Sequence, residues 1–126
     1  MVDIKSFGEG SDLQLIHGYG DGGFRVSGTR YSGSLFLLPR LSCEWAPPVD
    51  LNLLTAEDFL PFLGDPAAPL LVLGAGEAPQ HPFSELGASL RAHGVAFELL
   101  STPAACRTWN VLMSEGRAAA AALVAI

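Results

Sequence analysis

The stretch Thr102-Pro103-Ala104-Ala105-Cys106-Arg107-Thr108-Trp109-Asn110-Val111-Leu112-Met113-Ser114-Glu115-Gly116-Arg117 decides how this chain is read. Thr102 followed by Pro103 predicts a helix start: a hydroxyl at the N-cap, then proline at N1, where an N–H would have no helical partner anyway. Gly116 predicts the stop. Between them Ala105, Trp109, Leu112 and Met113 recur at helical spacing and predict a core-facing stripe. Arg107, Asn110, Ser114 and Arg117 form a second, polar stripe with Thr108 and Glu115 on its flank. A planar guanidinium beside an amide can grip a carboxylate, a phosphate or a backbone carbonyl, so Arg107 and Asn110 lead the candidates for a site. Each also has a plain structural reading: Arg107 pairing with Glu115 or Glu98, and Asn110 satisfying loop backbone near Gly74.

Upstream of this helix, Pro69-Leu70-Leu71-Val72-Leu73-Gly74 is continuously apolar and predicts a strand buried on both faces. Pro82 to Gly94 predicts a helix with Pro82 near N1, Gly94 as its stop and Phe83, Leu86 and Leu90 as a packing stripe. Val95 to Leu100 predicts the next strand, and such a strand–helix–strand unit makes its two strands parallel. Thr55 to Leu63 predicts a short helix, with Thr55 as N-cap, Glu57 and Asp58 in the first turn and Gly64-Asp65-Pro66 closing it. Earlier still, Leu13–His17, Phe24–Ser27, Tyr31–Leu38 and Leu41–Trp45 predict an antiparallel meander of roughly four strands. Residues 1–8 add a leading strand or arm, Ser27-Gly28-Thr29-Arg30 a turn or bulge, and Ala118–Ile126 a final strand or the end of the helix tucked into the core, with Gly116 favouring the strand. Nothing divides the chain, so residues 1–126 are expected to form one domain of the α+β or α/β class.

Composition narrows the function classes. The chain has 126 residues, 49% of them hydrophobic and 16% charged, which excludes disorder and predicts apolar surface covered by a protein partner or by self-association. Seven Lys/Arg against thirteen Asp/Glu give a formal net charge of -6, a poor match to nucleic acid or anionic membrane. The N-terminus shows no signal pattern, and the apolar run Ala118–Ile126 falls far short of the roughly 20 residues that span a bilayer. A soluble, cytoplasmic protein without membrane insertion is expected. Cys43 and Cys106 read as buried, reduced thiols.

The pattern T-x-x-A-C-R-T-W-N-x-L-x-x-E-G-R with its Ala-rich apolar end resembles the family that includes the mitochondrial respiratory complex I assembly factor 3 and the adipogenesis-associated "Mth938 domain-containing" protein. Ile4 to Gly18, the turn Gly28-x-x-Tyr31-x-Gly33-Ser34, Trp45 and Gly74-Ala75-Gly76 extend the resemblance over essentially the whole chain. It implies a compact three-layer β/β/α domain, no established enzymatic activity and, for the mitochondrial members, assembly of complex I through protein partners. Without a presequence, this chain resembles the bacterial members. Two departures stand out: Ala75 replaces a common Thr, and Trp109 replaces a common Tyr, which removes two hydroxyls but keeps the aromatic anchor.

Catalytic motifs find little support. Gly74-Ala75-Gly76 would need glycine at 79 to complete a dinucleotide fingerprint, and Pro79 stands there. Cys106 has no base visible near it, since His17, His81 and His93 are isolated; no Cys or His pair has metal-ligand spacing, and Ser34 lies in no nucleophile elbow. The expectation is therefore a non-enzymatic protein-interaction or assembly-factor-like module, with no catalytic residue, metal or cofactor. The alternative is a binder of a small anionic metabolite, or an enzyme, whose cleft is built from Gly74, Gly76, Arg107, Thr108, Asn110 and Glu115.

Overall fold

Strand Ala120–Leu123, the last in this chain, lies in the middle of the main sheet. A computed structural model describes residues 12–63 and 69–126, together with the backbone of Val2–Asp3. Its strands are β1 (Val2–Asp3), β2 (Ile16–Gly20), β3 (Gly23–Val26), β4 (Thr29–Ser32), β5 (Ser34–Leu38), β6 (Leu41–Trp45), β7 (Leu70–Gly74), β8 (Ala96–Leu100) and β9 (Ala120–Leu123), and its α-helices are α1 (Ser84–Ala92) and α2 (Thr102–Ser114). The main sheet runs β1-β6-β5-β9-β7-β8; β2-β3-β4 form a second, smaller sheet. Within the main sheet β9 pairs antiparallel with β5 and parallel with β7, and β7 pairs parallel with β8. The expected strand–helix–strand unit and the final strand are both present.

The chain leaves β7 outward to β8 through α1, then returns past β7 to β9 through α2. Two crossovers of the same hand running in opposite directions must place their helices on opposite faces of the sheet. Packing follows suit. Leu86 and Leu90 of α1 join Phe36, Phe59, Leu71 and Leu73 in one core, while Trp109, Leu112 and Met113 of α2 join Phe24, Leu35, Leu37 and Val72 in the other. The β2-β3-β4 sheet lies on the α2 side. β9 feeds both: Ala120 and Ala122 face the first core, Ala121 and Leu123 the second, and all four are fully buried. Three alanines suit a strand on which both outer layers converge, because larger side chains would hold those layers off.

Two elements differ in kind from the sequence-based expectation. Tyr31–Leu38 is not one strand: Gly33 adopts φ +85°, a conformation that disfavours a side chain, and the chain turns there from the small sheet into the main one. The meander is thus shared between two sheets. Thr55–Leu63 is not an α-helix but two 3₁₀ turns, Ala56–Asp58 and Leu60–Phe62, following a third at Leu51–Leu53. Pro61 lacks the N–H that an α-helical ladder needs and clashes with the preceding turn. The Asp58 carboxylate accepts from the Thr55 N–H at 2.9 Å, fixing the start as Thr55 predicts; the expected closing residues Gly64-Asp65-Pro66 lie outside the described residues.

Helix ends behave more simply. Both close with paired reverse bonds, Gly94 N–H to Arg91 O with Val95 N–H to Leu90 O, and Gly116 N–H to Met113 O with Arg117 N–H to Leu112 O. α1 begins after Phe83, so Pro82 precedes the helix rather than opening it. The cap of α2 is Ser101, whose hydroxyl accepts from the Ala104 N–H at 3.3 Å, and Thr102 is displaced one place into the helix.

The tightest junction is at Gly74. A Cβ there would lie 2.9 Å from Ala105 Cβ and 3.1 Å from Thr102 Cα, so α2 rests directly on the β7 backbone. Gly74→Ala is expected to lower unfolding free energy by about 1–3 kcal/mol through overpacking, measured by urea denaturation. Adding Ala105→Gly should recover part of the loss; an unchanged midpoint in the single variant would contradict the contact.

Candidate functional site

Thr102 carries the polar chemistry at the start of α2, and it is fully buried. Its hydroxyl accepts from the Gly76 N–H at 2.9 Å and donates to Val124 O at 2.7 Å, while its own N–H donates to Gly76 O at 2.7 Å. The Ala75 N–H donates to Leu100 O at 2.9 Å. The carboxyl ends of β7, β8 and β9 are thereby laced together where an open α/β sheet commonly leaves a ligand crevice. The Gly76 N–H, the group there that a phosphate or carboxylate would use, is already bonded.

Farther along α2, Asn110 makes a two-point contact with the backbone of Ile16: Oδ1 accepts from its N–H at 2.8 Å, and Nδ2 donates to its carbonyl at 2.7 Å. Trp109 is fully buried, and its indole Nε1–H donates to Gln14 O at 2.6 Å. Gln14, itself buried, accepts from Ser42 Oγ at 2.6 Å and donates its N–H to Pro39 O at 2.8 Å. These bonds fasten α2 to the segment leading into β2. Asn110 therefore serves Ile16 and not the loop backbone near Gly74, because its place on the helix turns it toward the small sheet.

The six candidate residues are not brought together. Gly74 and Gly76 meet the first turn of α2, whereas Glu115 caps the other end, about 20 Å away at 1.5 Å per residue. Thr108 is half-buried between them. Arg107 is exposed and makes no hydrogen bond or ion pair with another described residue, so neither Glu98 nor Glu115 holds it. It heads an outward row with Val111, which is 54% exposed, and Ser114. An exposed aliphatic side chain between a guanidinium and a hydroxyl can dock another protein surface.

Sequence reasoning missed Thr102's hydroxyl as a brace and Gln14 as a buried acceptor. The first was concealed by the helix-start pattern, which assigns a hydroxyl there to capping. The second has no local signal, since its partners lie 28 and 95 residues away. Cys43 and Cys106 are buried free thiols, as expected. Burial pushes the Cys106 thiol from its ordinary 9.0 up to about 12, with the nearby Arg107 charge pulling the other way.

The architecture defines a class: a two-sheet α/β domain whose helices clasp opposite faces of a mixed sheet and whose central strand comes from the chain's end. More particularly, the profile of a family described as proteins of unknown function, DUF498/DUF598, matches residues 16–124, and the chain belongs to that family. An uncharacterised protein of Rhodobacter capsulatus is 38% identical over 109 residues, covering 86% of this chain and 82% of its own. A zebrafish protein named NADH dehydrogenase [ubiquinone] 1 alpha subcomplex assembly factor 3 is 34% identical over 116 residues, covering 92% of this chain. The chain spans between 59% and 67% of the length of the vertebrate proteins of that name that it matches. Among solved structures, a Mth938-like domain of Bordetella pertussis determined by NMR is similar with TM-score 0.69 and 30% identity, covering 89% of this chain and 85% of that one. Among the described residues, no helix is long and apolar enough to cross a membrane.

Two outcomes separate the buried from the exposed members of the helix. Asn110→Ala leaves both backbone groups of Ile16 without their partner and is expected to cost about 1–3 kcal/mol of unfolding free energy, whereas Arg107→Ala should stay within about 0.5 kcal/mol of the parent in the same denaturation series. The Cys106 thiol gives a pH signature. The unfolded chain releases its proton near 9.0 and the folded chain near 12, so the stability it contributes is intact below that window and declines as pH rises through it. Cys106→Ala should flatten this alkaline decline in urea midpoints; an identical slope would refute the assignment.

Proposed function

We propose that this chain is a protein-interaction module of the assembly-factor kind, and that the outward row of α2, Arg107 with Val111 and Ser114, is a surface on which a partner docks. The observation that carries the reading is the likeness to proteins named as assembly factors, which extends over 92% of this chain in the zebrafish and human cases. Two features of the chain support it. The polar residues of α2 that face inward, Thr102 and Asn110, spend their hydrogen-bonding capacity on the chain's own backbone. On the outward side Arg107 makes no hydrogen bond or ion pair with another described residue, the Ser114 hydroxyl donates to Val111 O at 2.8 Å, and the large aliphatic side chain of Val111 is exposed between them. No reaction is assigned to the domain.

Arg107→Glu combined with Val111→Asp tests the surface. Both positions are exposed, so the thermal midpoint is expected to stay within about 2 °C of the parent, consistent with surface changes of under about 0.5 kcal/mol each. Affinity purification from the native host, quantified by mass spectrometry against the parent, should show one or more proteins depleted at least fivefold. An unchanged set of co-purifying proteins from a folded variant would overturn the α2 surface.

A further inference from the structure

On the opposite face of the main sheet, the 3₁₀ turns and α1 meet along a crease with two adjoining hollows. One, of about 210 Å³, lies between Asn52 and the residues His81 to Leu86; the other, of about 200 Å³, lies between Thr55–Glu57 and Glu85–Ser89. Leu54, Glu85 and Leu86 line both, so the two form one groove with two lobes. Its apolar lining includes Leu54, Phe83 and Leu86, its acidic lining is Glu57 and Glu85, and His81 stands in one lobe. Neither carboxylate makes a hydrogen bond or ion pair with another described residue. Asp50 and Asp58 nearby are engaged with the N–H groups of Asn52 and Thr55.

Beside the groove the chain exposes apolar surface. Leu53, between the lining residues Asn52 and Leu54, is 66% exposed, and Val49 is fully exposed. These are two of the four large hydrophobic side chains exposed among the described residues. Each lobe alone is smaller than the roughly 300–1,000 Å³ of a small-molecule pocket, and the two-lobed shape suits successive side chains of an extended partner.

We infer that this groove seats a cationic amphipathic segment of a protein partner, with aliphatic side chains in the two lobes and against Leu53, and Lys or Arg opposite Glu57 and Glu85. The sign of the charge selects this occupant. A second copy, carrying the same carboxylates and a net charge of -6, would meet like charge with like. The α1 N-terminus does not favour an anion here, because Glu85 in its first turn already offsets the positive end of the helix. The inference deepens the protein-binding reading of the chain and rests on it, but not on the α2 surface.

The test is an NMR titration of the ¹⁵N-labelled chain with a synthetic Leu/Lys amphipathic peptide and with its Leu/Glu counterpart. The Leu/Lys peptide should shift the amides of residues 52–57 and 83–89, leave those of 107–114 in place, and bind more weakly as salt is raised. Glu57→Lys with Glu85→Lys should weaken it at least tenfold in a chain whose spectrum remains folded, and Leu53→Ser should weaken it severalfold. The Arg107→Glu/Val111→Asp variant should bind it as the parent does, so failure of the α2 surface leaves this outcome readable. Equal binding of the Leu/Glu peptide, shifts outside the groove, indifference to charge reversal, or concentration-dependent shifts of groove amides without peptide (a second copy as occupant) would each overturn the inference.

Discussion

The structure depends on how closely α2 and β9 approach the end of β7. Gly74 removes the side chain that would hold α2 away, Ala105 presents only a methyl group to it, and the Thr102 hydroxyl bridges Gly76 to Val124 across the same point. Val124 N–H completes the arrangement by donating to Gly74 O at 2.8 Å. A larger residue at any of these places would spread the sheet from the helix. The four buried residues of β9 could then not serve two cores at once. The Ala-rich strand and the glycine beneath the helix are therefore two sides of one packing condition.

That condition explains why α2 carries polar residues on the side that faces the rest of the chain. A helix set directly on a strand backbone must also be fixed in rotation and in register. Trp109 and Asn110 do this by bonding the backbone at Gln14 and Ile16, which draws the small sheet against the same helix. The polar stripe seen in the sequence thus divides by direction: Asn110, facing the small sheet, is structural, whereas Arg107, facing water, is held by no other described residue. Trp109 offers a donor as well as an aromatic body, and its indole N–H makes the anchoring bond to Gln14 O.

Much of this could be read from the sequence. The amphipathic stripe of α2, the doubly apolar β7, the glycine stops and the Ala-rich last strand are all set by local periodicity or by backbone chemistry, and each was found where expected. What escaped were consequences of distance along the chain. Gly33 looks like one glycine among several until the two sheets it separates are seen. Pro61 is an obstacle to an α-helix, yet the tighter 3₁₀ path around it depends on what packs beneath. Asn110 shows the limit most plainly: its helical position was legible, but its partner lies 94 residues earlier in a segment with no matching signal. The groove lined by Leu54 and Leu86 joins two segments whose sequence patterns point only to their own packing stripes.

The position of β9 also has a kinetic consequence. Its partners β5 and β7 both precede it in the chain, and neither pairs directly with the other. During synthesis, then, the β1-β6-β5 half and the β7-β8 half can form while each still presents a bare strand edge, and they join only when residues 120–123 arrive to fill the gap. Long-range closure of this sort is slow, and open edges are where newly made chains associate with one another. A strand made mostly of alanine lowers that hazard for itself, since it has little side chain to offer a wrong partner, and leaves its place to be recognised chiefly by the backbone bonds and the close fit that only the correct gap provides.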